Sequence, residues 1–118
     1  MNKIAVLGAG SWGTALSIVL ADNGHDVRLW SHRQNQVEEI NHTHRNKNYL
    51  DTMIPEQIKA YHTLEEAVKD VSMVVIVVPT KAVREVCNQL SSVLNQRAII
   101  VHASKGIEPK TLKRVSEL

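Results

Sequence analysis

Three glycines at the spacing Gly8-x-Gly10-x-x-Gly13 carry the clearest chemistry in this chain. A short apolar run, residues 4–7, leads into them and a helix-like pattern follows, so they fall on a strand-to-helix turn. In that setting Gly8 lets the chain turn sharply out of the strand. Gly10 removes the side chain that would hold the backbone away from a phosphate, and Gly13 lets the new helix pack closely on the strand. The helix start adds unpaired N–H groups and the positive end of a dipole, which suits an anionic pyrophosphate. Strand before and helix after make this the dinucleotide-binding fingerprint in its expected context.

The second position able to do chemistry lies at the end of the second expected strand, residues 26–30. NAD sites place Asp or Glu there, roughly twenty residues beyond the glycines, to accept hydrogen bonds from the adenine ribose. This chain reads Ser31-His32-Arg33 instead. A carboxylate would repel a 2′-phosphate, whereas an arginine can grip one through two hydrogen bonds. NADP(H) is therefore expected over NAD(H). The alternative leaves Arg33 as a solvated surface residue, with Ser31 capping the next helix.

Lys105 lies between Ser104 and Gly106 after an apolar segment. From there it can contact a phosphate or polarise a carbonyl, or serve as an ordinary loop lysine. His25, His32, His42, His44, His62 and His102 are scattered, with no paired cysteines and no HExxH, so no metal site is expected. Cys87 is the single cysteine, which excludes an intramolecular disulfide and fits a reducing cytosol. Its place in a helix-patterned segment reads as a small core hydrophobe.

The elements that must hold these residues alternate in type. Strands are expected at 4–7, 26–30, 58–62, 74–78 and 98–103. Helices are expected at 11–23, 34–41, 81–94 and from Pro109 onward. The first should bury Ala15, Leu16, Val19 and Leu20 and close at Asn23-Gly24. Thr63-x-x-Glu66 reads as a capping box opening a helix to about Val71. Residues 42–55 are polar and irregular. The fourth helix should set Val83, Val86, Cys87, Leu90 and Leu94 on one stripe.

The chain has 118 residues, 43% hydrophobic and 22% charged, with a formal net charge of +2 and no phenylalanine. These values suit one globular domain with a core of Val, Ile, Leu and Ala, and they give no footprint for nucleic acid. No apolar run approaches the length of a membrane span, and the start lacks a signal-peptide pattern, so a cytoplasmic setting is expected. Strand–helix alternation implies an α/β fold: a Rossmann-type doubly wound parallel sheet in three layers, α/β/α. The helical pattern runs to Leu118, so truncation within the last helix is expected. Ligands of such sheets lie beyond the carboxyl ends of the strands, near the switch point. Residues 8–13, 31–33, 79–81 and 104–106 should meet there.

GAGSWGTAL at 8–16, WSHR at 30–33, VVPTKAVREV from Val77 and HASKGIE at 102–108 resemble bacterial NAD(P)-dependent glycerol-3-phosphate dehydrogenase. The similarity spans essentially the whole chain. It implies reduction of dihydroxyacetone phosphate to sn-glycerol 3-phosphate, a precursor of glycerophospholipids, with residues 1–118 as the NAD(P)-binding domain. It implies cofactor contacts from Gly8, Gly10, Ser11, Trp12, Gly13, His32, Arg33 and Tyr49, and contacts to both cofactor and substrate from Lys105. It also implies a further helical domain, absent here, that carries the general acid/base lysine and most substrate phosphate ligands. No catalytic residue is thus expected within this chain, which should bind cofactor without turning over. A homodimer is compatible with the full-length protein. The alternatives are a dehydrogenase for another hydroxyacid or sugar phosphate, and a non-enzymatic NADP(H)-sensing module.

Overall fold

Short runs of Val, Ile and Leu have both faces apolar, and such runs are stable only as strands covered from two sides. In the computed structural model, which describes residues 3–46, 53–78, 80–93 and 98–102, five strands form one parallel sheet, and residues 4–7 and 73–76 are its runs buried on both faces. The strands are β1 (Lys3–Leu7), β2 (Asp26–Trp30), β3 (Lys59–Tyr61), β4 (Met73–Ile76) and β5 (Ile99–His102). The helices are α1 (Ser11–Asp22), α2 (Gln34–Thr43), α3 (Leu64–Ala67) and α4 (Thr80–Val93). The strand order β3-β2-β1-β4-β5 places β1 at the centre, and the order reverses between β1 and β4. The expected doubly wound architecture is present.

Alternation along each strand splits the core in two. Ile4 and Val6 of β1 face one layer with Leu16 and Leu20 of α1, Ile40 of α2, and Val27 and Leu29 of β2. Ala5 and Leu7 face the other layer with Val74 and Ile76 of β4, Leu64 of α3, and Val86 and Leu90 of α4. Full burial of each such aliphatic side chain contributes about 1.5–3 kcal/mol.

Register decides what reaches the ligand edge. Leu7 pairs with both Trp30 and Ile76, Trp30 with Tyr61, and Ile76 with His102. All five strands therefore end level, and the segments that leave them emerge along one rim. Backbone bonds tie that rim together: Gly8 N donates to Trp30 O at 3.0 Å, Val77 N to Leu7 O at 2.8 Å, and Ser31 N to Tyr61 O at 3.0 Å.

Several local expectations are met and others corrected. Gly24 adopts φ +87° after α1, and His25 N donates back to Leu20 O at 3.2 Å, the close expected of Asn23-Gly24. The inner face of α1 is more polar than expected: Thr14 and Ser17 are fully buried, while Ala15 and Val19 are only half-buried. The α2 helix runs two residues beyond Asn41 and stops where His44 turns left-handed at φ 56°. Helix α3 is a single turn, and Thr63 at its N-cap makes no side-chain cap bond, so the capping box is not formed. Cys87 is exposed on α4 rather than packed in the core. Leu94, Pro79, Lys105 and the helix from Pro109 lie outside the described residues. No helix among the described residues is long and apolar enough to cross a membrane.

Candidate functional site

The glycine turn is a matter of room. Gly8 leaves β1 at φ +126°, where a Cβ would stand 2.6 Å from the Val77 carbonyl oxygen. L side chains rarely tolerate that conformation, and the neighbouring atom is rigid backbone. A Cβ on Gly13 would lie 1.7 Å from the Gly8 carbonyl oxygen. The first turn of α1 is thus packed directly on the end of β1, in the role expected of the third glycine. Gly10 is the N-cap of α1, with no side chain to cap it, and the first turn of the helix holds no acidic residue. An uncapped helix start without carboxylates attracts an anion. Ser11 and Trp12 lie exposed on that first turn, Trp12 at 42%.

The turn after β2 sits beside it, since Gly8 N bonds the carbonyl of Trp30. Trp30 is buried, and its indole N–H donates to His62 O at 2.9 Å. The His32 ring lies 6.3 Å from that of Trp30, and both His32 and Arg33 are exposed. Ser31 is buried at 3% exposure but does not cap α2, whose N-cap is Arg33. Its hydroxyl instead accepts from the Arg33 N–H at 3.1 Å and donates to Gln36 Oε1 at 2.5 Å.

From Gln36 the hydrogen bonds continue back to the glycine turn. Gln36 Nε2 donates to the Ala9 carbonyl at 2.7 Å and to Asn46 Oδ1 at 3.0 Å. Asn46 Nδ2 donates to the same carbonyl at 2.8 Å and to Thr14 Oγ1 at 2.9 Å. Thr14 Oγ1 itself approaches Ala9 O at 3.5 Å. Asn46 is 1% exposed and Thr14 fully buried. Sequence reasoning missed Gln36, Asn46 and Thr14. Asn46 sat unremarked in a polar stretch, and only the unexpected polarity of the α1 inner face hinted at a buried network.

Among the expected site residues, the structure thus brings together Gly8, Gly10, Ser11, Trp12, Gly13, His32 and Arg33 on one rim. Lys81, from the segment after β4, is exposed in the first turn of α4. Tyr49 and Lys105 lie outside the described residues. Among the described residues no group of three His, Cys, Asp or Glu could hold a metal ion.

Comparison with known proteins gives this arrangement a family. Residues 3–118 match the family model described as NAD-dependent glycerol-3-phosphate dehydrogenase N-terminus. The chain is 62% identical over 118 residues to glycerol-3-phosphate dehydrogenase (NAD(P)+) of Oceanobacillus iheyensis, covering 100% of this chain and 34% of that relative. It is 56% identical over 116 residues to the protein of the same name from Streptococcus mutans, covering 98% of this chain and 34% of that relative. Among solved structures, it superposes on glycerol-3-phosphate dehydrogenase from Coxiella burnetii with a TM-score of 0.83 at 38% identity, covering 98% of this chain and 36% of that one. The chain thus spans about a third of the length of the relatives it matches. A glycine turn packed on β1, an exposed Ser11-Trp12 pair and a family match across nearly every residue agree, and the chain belongs to the NAD-dependent glycerol-3-phosphate dehydrogenase N-terminal family.

Proposed function

We propose that this chain is the cofactor-binding part of a cytoplasmic glycerol-3-phosphate dehydrogenase, which reduces dihydroxyacetone phosphate to sn-glycerol 3-phosphate. The observation that carries the reading is the steric fit of the turn. Both Gly8 and Gly13 stand where a Cβ would strike backbone, at a helix start free of acidic side chains. Gly8, Gly10, Ser11, Trp12 and Gly13 would hold the pyrophosphate end of the cofactor. His32 and Arg33 would face its adenosine end, with NADP(H) preferred and NAD(H) accepted. Tyr49 is assigned to the cofactor, and Lys105 to cofactor and substrate together. When bound, the cofactor supplies a hydride.

Reduction of a ketone also needs a proton for the emerging alkoxide and a closed, oriented site. No catalytic acid is assigned within this chain, and its relatives extend to about three times its length. The chain is therefore expected to bind cofactor and to turn over negligibly by itself. Oxidation of NADPH by dihydroxyacetone phosphate, followed at steady state, tests this. A rate near that of a full-length relative would overturn it. In the intact enzyme, competition with other keto acids and sugar phosphates should leave dihydroxyacetone phosphate strongly preferred.

A further inference from the structure

We propose that Asn46, acting with Gln36, is a positioning residue for the pyrophosphate turn, an inference that rests on the cofactor reading above. Two amide donors converge on one carbonyl, that of Ala9, between the first two glycines: Gln36 Nε2 at 2.7 Å and Asn46 Nδ2 at 2.8 Å. With Thr14 Oγ1 a longer third contact at 3.5 Å, they saturate that oxygen. The chain has no cis peptide bond among its described residues. In a trans peptide the C=O and the following N–H point in opposite directions. Holding the Ala9 carbonyl inward therefore turns the Gly10 N–H outward, away from the network. That N–H belongs to the N-cap of α1, at the uncapped helix start where an anion is favoured. Gly10, on one side of this peptide plane, gives it more rotational freedom than a residue with a side chain would, so something else must fix it.

The orientations of the two amides are themselves fixed. Gln36 Oε1 accepts from Ser31, which forces its nitrogen toward Ala9 and Asn46. Asn46 Oδ1 accepts from Gln36, which forces its own nitrogen toward Ala9 and Thr14. A flip of the Gln36 amide would set its oxygen against the acceptors Ala9 O and Asn46 Oδ1, and a flip of the Asn46 amide would set its nitrogen against Gln36 Nε2 and its oxygen against Ala9 O. Asn46 reaches Ala9 from 37 residues away, so the loop after α2 is tied to the turn after β1.

The test compares Asn46→Ala and Gln36→Met with wild type for binding of NADPH, NADH and inorganic pyrophosphate, and for thermal unfolding. Each substitution should weaken all three ligands by a common factor of about 10, leaving the NADPH-to-NADH ratio unchanged. The shift of the Gly10 amide resonance on adding inorganic pyrophosphate should shrink in parallel. Should Asn46→Ala fail to fold, Gln36→Met decides, because its side chain is only half-buried. Folded variants with a lowered melting temperature but wild-type affinity for all three ligands would overturn the proposal. Wild type that bound none of the three would instead remove the cofactor reading, and this proposal with it.

Discussion

Two turns leave the same rim side by side and are built by opposite means. The Gly8–Gly13 turn is made by removing side chains at its two ends, because backbone atoms stand where a Cβ of Gly8 or Gly13 would go. The Ser31–Arg33 turn is made by adding them: a buried Ser31 hydroxyl links the Arg33 N–H to Gln36, while His32 and Arg33 project from the surface. The first suits what all dinucleotides share, a pyrophosphate approached by backbone. The second suits what distinguishes them, the group on the adenine ribose. Steric fit leaves almost no room for substitution. A side-chain reader can be exchanged while the fold stays as it is.

The comparison breaks most sharply at Gly13. Gly13→Ala must push the helix start off the Gly8 carbonyl, so it should cost about 3 kcal/mol or more and abolish cofactor binding. Urea unfolding together with NADPH titration would check this. A protein of wild-type stability and affinity would show that the turn has slack that the geometry denies. Gly8→Ala is expected next, at about 1–3 kcal/mol, from strain at positive φ and contact with Val77. Its midpoint in the same unfolding series should lie between those of wild type and Gly13→Ala.

At the second turn the effect should fall on binding and spare stability. Arg33→Asp should weaken NADPH by about 10- to 100-fold, through loss of a bidentate cation and gain of a repelling carboxylate. NADH affinity should hold or rise, and the unfolding midpoint should stay within about 0.5 kcal/mol of wild type. Equal losses for both cofactors would mean that Arg33 does not read the phosphate. Ser31→Ala should be the mildest, costing about 1 kcal/mol by freeing Gln36 Oε1 and the Arg33 N–H from their shared partner. Hydrogen exchange at the Arg33 amide should speed up in that variant.

The glycine turn was legible because its requirement is local and steric, and one residue type at three fixed positions declares it. Strand β2 was legible to the residue, Asp26–Trp30, since Gly24 before it and Ser31 after it bound a segment in which Asp26 and Arg28 alternate with apolar Val27 and Leu29. What failed depended on distant partners. The box Thr63-x-x-Glu66 promised a helix to Val71, yet α3 ends at Ala67. Burial of Ala67, Val68 and Val71 on the way into β4 sets the path there, with Asp70 turning left-handed at φ 60°. Cys87 lies next to Val86 on the helical stripe, but α4 meets the sheet through Val86 and Leu90, which rotates Cys87 to the surface. Asn46 was invisible for the strongest reason: its partners Ala9 and Thr14 are 37 and 32 residues away. No local pattern announces a buried amide of that kind.

Titration with NADPH and then NADH, read from the fluorescence of Trp12 and Trp30, tests the central claim most directly. Trp12 lies exposed on the first turn of α1, and Trp30 ends β2 beside Gly8, so both report on the rim. Saturable quenching by both cofactors, with NADPH the tighter, is the predicted result. No saturable change with either would contradict the assignment of the glycine turn as a cofactor site.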